Sequence, residues 1–432
     1  MKILFAHQNF PGQYKHVCMR LAKDPANDLV FLSRANRNLI KGVRRIDYEL
    51  ARAVTPNIHH YIGEAEKGVL YGQAVAREAV RLRESGWKPD IMIGHNGWGE
   101  TIFLKDVYPD VPLLSYFEFF YRAGEADCDF DPEYPLQYDD TLRLRIKNTI
   151  NYWGLDASDW GVSPTQWQRS RYPAHYQQKI SVIHEGVDTD IVKPDPKASI
   201  VIDENLRLAV GDEVVTFVVR NLEPYRGFHT FMRTIPEIQK RRPKARIVIC
   251  GGDEISYGRP HSSGRPYREI LLKEVQFDHS KVHFVGKIPY SIYLQLLQVS
   301  AAHVYLTYPF VLSWSMLESM AAECVVIGSR TPPVEEVIED GRNGYLVDFF
   351  SPVEIAERVA AVLAAPAKQT GIRKAARQTI VDRYDLAKVC LPKFLNLVDD
   401  LIARRLPAPS GEAAAAPAWQ AQKQVEQAGT AD

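Results

Sequence analysis

Twice along this chain, short β-branched runs alternate with helical stretches, and that alternation restricts the fold more than any other feature of the sequence. Candidate strands fall at residues 2–7, 29–33, 91–95, 113–118, 159–163 and 180–184. A strand, a crossover helix and a second strand build a parallel sheet, and a parallel sheet needs helices on both faces. After Glu185-Gly186-Val187-Asp188 the pattern breaks through Pro194-Asp195-Pro196. A second series then runs through 214–219, 245–250, 282–285, 303–307 and 325–328. The sequence therefore predicts an α/β protein of two Rossmann-like domains, residues 1–190 and 200–385, with a boundary near 186–205 and a cleft between them. Residues 386–405 keep helical periodicity around Pro392, which predicts a kinked last helix. Residues 406–432 are Ala, Pro, Gln and Glu without periodicity and read as a disordered tail.

With 432 residues, 46% of them hydrophobic, the chain can bury two ordinary cores. Lys+Arg and Asp+Glu number 53 each, so no global charge argues for a nucleic-acid partner, and none is expected. Cys18, Cys128, Cys250, Cys324 and Cys390 are scattered and lack CxxC spacing, which suggests reduced thiols. Met1 to Ala6 is too short for a signal-peptide core, and no run approaches the ~20 apolar residues of a spanning helix. A cytoplasmic location is expected. Arg34, Arg37, Lys41, Arg44, Arg45 and Arg52 form a basic stretch, diluted by Asp47 and Glu49. It is a candidate for peripheral contact with the inner face of a membrane or with a lipid-diphosphate acceptor; the alternative is a solvated face.

Ligands of open α/β sheets bind beyond the carboxyl ends of the strands. At that edge of the second unit, the strand 214–219 runs into a loop carrying Arg220 and Arg226, with a helix starting near Gly227. Two guanidiniums beside helix N-terminal amides suit a phosphate. Further on, an apolar run ends in a Pro309-containing loop with Val311, Leu312 and Ser313, followed by a helix bearing the lone carboxylate Glu318. In the first unit, Gly12 follows the first strand and His95 ends another, within Gly94-His95-Asn96-Gly97-Trp98. Glu118, Phe119 and Tyr121 open an aromatic and acidic loop. Sugars present C–H faces to aromatics and hydroxyls to carboxylates, so these three are the acceptor candidates. No metal site is expected: His279 and His283 lack a third ligand, and the acids from Asp127 onward fail as a calcium loop because Pro132 and Tyr138 occupy its glycine and closing-glutamate positions.

The segment from Tyr308 to Val347 closely resembles the donor-binding signature of family 4 (group 1) glycosyltransferases of bacterial type, which are retaining enzymes of the GT-B fold. Pro332-Pro333-Val334-Glu335-Glu336-Val337 and Asp340-Gly341-Arg342-Asn343-Gly344-Tyr345-Leu346-Val347 are similar to its next two blocks. The resemblance implies that Glu318 holds the nucleotide ribose and that His95, with the loop after Pro309, touches the donor sugar. Arg220 and Arg226 resemble the family's diphosphate clamp, with Arg226 in place of the usual Lys and one extra residue between the cations. Gly12 falls in the family's first loop, usually richer in glycine. Gly252, Lys287 and Ile288 end successive strands where relatives present backbone to phosphates and base. His184-Glu185-Gly186-Val187-Asp188 has Glu185 where Asn is common, and Phe310 stands where a second Glu is common. The implied activity is metal-independent transfer of a hexosyl group, with retention, from a nucleotide diphosphate sugar to a hydroxyl of a glycan, lipid-linked or small-molecule acceptor, without a bound cofactor. The rival readings are a catalytically inactive nucleotide-sugar binding protein and a GT-B sugar-nucleotide epimerase, which would need acid/base groups on both faces of the sugar.

Overall fold

Continuous burial along the central strands, with successive residues facing opposite layers, dictates the layering. In the computed structural model, which describes residues 1–124, 126–405 and 407, Ile3 and Phe5 pack on one side of the first strand while Leu4 and Ala6 pack on the other. This first sheet comprises β1 (Lys2–Asn9), β2 (Asp28–Arg34), β3 (Val43–Asp47), β4 (Ile91–His95), β5 (Leu113–Tyr116), β6 (Trp160–Ser163) and β7 (Ile180–Val182). Every pairing is parallel, in the order β3-β2-β1-β4-β5-β6-β7. One face is covered by the helix Gly63–Glu84, through Tyr71, Ala74 and Val75.

A hairpin, β8 (Ser199–Asp203) and β9 (Leu206–Ala209), precedes the second sheet. That sheet contains β10 (Val214–Asn221), β11 (Arg246–Gly252), β12 (Val282–Gly286), β13 (Ala302–Tyr305), β14 (Val326–Ser329) and β15 (Tyr345–Val347), all parallel in the order β12-β11-β10-β13-β14-β15. Both sheets thus reverse strand order beside their first strand, and the loops diverging there open a crevice at the carboxyl edge. The two carboxyl edges face the same cleft.

Two elements depart from the sequence reading. Part of the basic stretch is the edge strand β3, where Arg45 donates to the carbonyls of Asn36 and Asn38 and pairs with Asp47 at 2.8 Å. Charged side chains suit an edge strand because they discourage pairing with another chain, and here they hide its alternation. The stretch taken as irregular contains the β8–β9 hairpin, whose Ile200 and Leu208 bury against Leu296 of the next unit. A two-stranded ribbon is stable only with such a partner, so local sequence understates it.

The last helix, Leu391–Ile402, follows a π-helical turn at Leu386–Cys390, and Pro392 sits in its first turn, where a missing N–H costs little. Phe394, Leu397, Val398 and Leu401 line one face of it and pack on Ile3, Phe5, Ile91 and Ile93. The C-terminal end of the chain thereby completes the core of the N-terminal sheet. The expected tail, 406–432, lies outside the described residues apart from Pro407. Among the described residues no helix is long and apolar enough to cross a membrane, and the five cysteines are free and buried.

Because this helix belongs to the first core, Phe394→Ala and Leu397→Ala should each cost about 2–5 kcal/mol. Urea unfolding should show the loss in the transition of the N-terminal domain.

Candidate functional site

Glu223 lies between the two arginines of the β10 loop and organises it. It is fully buried, and its carboxylate accepts the backbone N–H groups of Ser256, Tyr257 and Gly258, the last at 2.9 Å. A buried carboxylate satisfied by several amides is a strong local anchor, and it fixes Tyr257 over the cleft. Arg226 is also buried; its Nη1 donates to Thr307 Oγ1 at 2.8 Å and to the Val311 carbonyl at 2.9 Å, while its guanidinium lies 5.1 Å from the Tyr257 ring. It therefore braces the loop after β13 as well as supplying charge. Arg220, at the end of β10, is exposed.

These residues enclose a cavity of about 260 Å³ between the domains. Of the residues singled out in the sequence, Arg220, Arg226, Val311, Leu312, Ser313 and Glu118 line it. The Ser313 N–H donates to Tyr305 Oη at 2.8 Å, which holds the loop against β13. Among the wall residues that sequence reasoning passed over are Gln13, Tyr116, Tyr257 and Trp314. Trp314 adjoins the 311–313 loop and could have been read with it; Tyr257 sits in a Gly/Pro/Ser-rich loop without a local signal. Glu185, noted only as a departure from Asn, is at the floor. Tyr116 Oη donates to its Oε1, and Trp314 Nε1 donates to its Oε2 at 3.1 Å from the other domain.

Other expected site residues stand back from this wall. Glu318 is held by the Tyr290 and Tyr293 hydroxyls, each at 2.7 Å, and burial raises its pKa above the usual carboxylate value. Lys287 pairs with Glu254 at 2.8 Å on the outer rim, beside Gly252 and Ile288. Gly12 adopts φ +52°, and a Cβ there would come within 2.6 Å of His7 Nε2, so its backbone is needed for packing over that ring. Phe119 is buried against Phe310, with ring centroids 4.7 Å apart, and packs in the cluster behind the cavity rather than lining it. Phe310, which stands where the resembled family commonly has a second Glu, fills a hydrophobic cluster with Trp167.

His95 is buried behind Glu118. Its ring stacks on Trp98 at 4.1 Å, and Nδ1 accepts the Gly97 N–H at 3.0 Å, so the neutral ring carries its proton on Nε2. That nitrogen has no hydrogen-bond partner and faces Glu118 Oε2 at 3.7 Å. Beneath lie His7, pushed down to about 3 by burial and by His95, and Glu100, pushed up to about 7 by burial. Glu100 Oε1 accepts from the Tyr48 hydroxyl at 3.2 Å, while Oε2 is unpartnered.

The loop after Tyr121, expected to contact the acceptor, is also a link between the domains. It straps the first domain to the second: Asp127 accepts from the Tyr225 hydroxyl at 2.8 Å, Asp131 from the Tyr308 hydroxyl at 2.6 Å, and Glu133 pairs with Arg233 through both oxygens at 2.7 and 2.9 Å. Asp131, Glu133 and His229 are close enough together to hold a cation, but Arg233 already engages Glu133, and His229 lies 3.0 Å from Asp131.

With this geometry in view, known proteins supply the classification. Residues 25–192 match the glycosyl transferase family 4 group, and residues 203–379 match the glycosyl transferases group 1. The chain belongs to the group 1 glycosyltransferases, of the GT-B fold. It is 26% identical over 263 residues to the GDP-mannose-dependent alpha-(1-6)-phosphatidylinositol monomannoside mannosyltransferase of Mycobacterium tuberculosis, a match covering 56% of this chain and 62% of that protein. The chain thus spans about three-fifths of the length of that relative. Sucrose-phosphate synthase from Thermosynechococcus elongatus shares the fold at a TM-score of 0.69 and 15% identity, covering 94% of this chain and 100% of that one. Anabaena HepE, crystallised with UDP-glucose, does so at 0.63 and 14%, covering 92% and 100%.

Glu100 generates a pH prediction. Its folded pKa, about 7, exceeds the ordinary 4.5, so the native state keeps a proton that the unfolded chain releases. The contribution of Glu100 to stability should therefore be full below pH ~4.5, fall by about 3 kcal/mol as the pH rises to about 7, and stay level above, while the buried His7 and His303, held neutral, act in the opposite sense. The difference in urea midpoint between wild type and Glu100→Gln, followed across that window, isolates this decline from the histidine contributions.

Proposed function

We propose that the chain transfers a sugar from a nucleotide diphosphate donor to a hydroxyl acceptor on a glycan or glycolipid, with retention and without a metal. The observation that carries this reading is the pair Arg220 and Arg226, one exposed and one buried, on a cavity at the carboxyl edges of two facing Rossmann-like sheets. Charge develops on the diphosphate as the bond from the anomeric carbon to phosphate oxygen breaks, and preorganised guanidiniums stabilise it. The acceptor oxygen bonds to the anomeric carbon, and its proton passes to the departing phosphate oxygen, so no separate base is required. The 311–313 loop would contact the sugar, with His95 acting beside it through Glu118. Glu318 would take the ribose diol by exchanging its phenol hydrogen bonds for ribose ones. The names of the relatives support a sugar nucleotide as donor, and the mannosyltransferase favours a hexosyl group.

Arg220→Ala should lower kcat about a hundredfold or more with little change in stability, because the side chain is exposed. Arg226→Ala should lower kcat similarly and also destabilise the fold, because it leaves Thr307 and the Val311 carbonyl without their donor. Rates of nucleotide release across UDP-, GDP-, ADP- and dTDP-sugars check both; turnover within threefold of wild type for both variants overturns the assignment. Nucleotide binding without release or transfer from any donor would favour the binding-protein reading.

Initial rates should also survive EDTA, since two arginines meet the diphosphate charge. Complete loss restored by Mg²⁺ or Mn²⁺ would contradict the metal-independent reading.

A further inference from the structure

A second cavity, about 550 Å³, lies between the same two domains behind the strap. Its volume falls within the ~300–1,000 Å³ of small-molecule sites. Six tyrosines line it: Tyr121, Tyr134, Tyr225, Tyr257, Tyr267 and Tyr308. Tyr257 belongs to the wall of the donor-side cavity too, so the two spaces adjoin at that ring. From there the rings run inward as a series, Tyr257 to Tyr225 with centroids 6.4 Å apart and Tyr225 to Tyr308 at 4.7 Å, inclined to each other by 32° and 33°. Tyrosine combines an apolar face with a polar tip, which suits a ligand that is apolar on one face and hydroxylated at its edge.

The charges around these rings narrow the ligand class. Arg143, Lys147 and Arg259 stand against Asp127, Asp129, Asp131 and Glu133, so the lining carries no excess of cations for a phosphate or carboxylate ligand. Asp127, 2% exposed, bonds Tyr225 through one oxygen, while its Oδ1 has no partner. The contrast is a groove of about 1060 Å³ in the first domain, where Arg34, Arg52, Arg77 and Arg81 gather beside Asp47, Glu49 and Glu78. That groove suits an anionic group better than the tyrosine-lined cavity does.

We propose that the tyrosine-lined cavity is the acceptor site, that it takes a neutral oligosaccharide, and that Tyr257 lies where the acceptor end meets the donor sugar. The proposal rests on the glycosyl-transfer reading above for the role of the bound sugar, but saccharide binding itself is measurable without turnover. The strap then has a binding role: by joining the domains through Asp127, Asp131 and Glu133 it encloses the saccharide.

The test is saturation-transfer NMR on the full chain with maltotetraose, cellotetraose and α-1,6-mannotetraose as probes, and mannose 6-phosphate as the anionic comparison. Wild type should bind at least one neutral tetrasaccharide in preference to mannose 6-phosphate. Ser262→Trp, which places bulk at the exposed mouth, should weaken that binding about tenfold, and Arg259→Ser about threefold. Acceptor-free nucleotide release from the donor sugar should stay within about twofold in both variants. Absence of binding by any neutral tetrasaccharide, or binding that survives both substitutions, overturns the proposal. So does preferred binding of mannose 6-phosphate that is lost in Arg77→Ala, which would move the acceptor to the arginine groove. Saccharide binding as expected without donor turnover would instead sink the transfer reading and leave the site standing.

Discussion

The cleft rests on one constraint: the two crossings of the chain between domains are tied to each other. The Val187 N–H donates to the Tyr384 carbonyl at 2.8 Å, and the Leu386 N–H donates to the Val187 carbonyl at 2.9 Å, a parallel bridge between segments about two hundred residues apart. Asp385 reinforces it by accepting from the Thr189 hydroxyl and from the Lys388 N–H at 2.7 Å, which starts the turn toward the last helix. Arg377 ties the outgoing linker to the second domain through the carbonyls of Thr189, Val192 and Ala321. The bridge thereby joins the linker leaving the first domain to the segment that returns to it. The last helix, anchored in the first core, is the lever that this bridge holds.

Around that hinge, polar groups are placed where they serve two purposes. Arg226 supplies charge to the cavity and closes the hydrogen bonds of the 307–311 loop; Glu223 satisfies three amides and thereby sets Tyr257. Glu336, from the second domain, accepts the N–H groups of Gln166 and Trp167 at 2.8 and 2.7 Å, capping a helix of the first. Far from the hinge, the strap repeats this logic with Asp127, Asp131 and Glu133. A cavity between two domains is therefore framed by interdomain hydrogen bonds on more than one side, and its polar lining is oriented before any ligand arrives.

Several site residues were legible because each lies at or beyond the carboxyl end of a strand, where parallel topology must deliver it to the crevice: Arg220 at the end of β10, Val311 to Ser313 after β13, and Glu118 after β5. Residues whose role depends on a distant partner were not. Glu185 gains meaning only from Tyr116 and Trp314, and Tyr257 only from Glu223. The loop acids Asp127, Asp131 and Glu133 read along the sequence only as charge, because composition does not record the tyrosines and the arginine that meet them across the cleft.

By itself the sequence determined the α/β class, the two parallel sheets and the family signature, because strand and helix periodicity and turn chemistry are local properties. Only the tertiary structure decided which edge strands form, that the last helix returns to the first domain, and which side chains face open space. These depend on contacts between residues far apart in the chain: β3 is recognised by its pairing with β2, the β8–β9 hairpin by its burial against Leu296, and Phe394 by the sheet it covers. Burial then set the chemistry, holding Glu100 toward its protonated form and leaving Arg220 exposed at the cleft, a difference that no spacing of residues along the chain encodes.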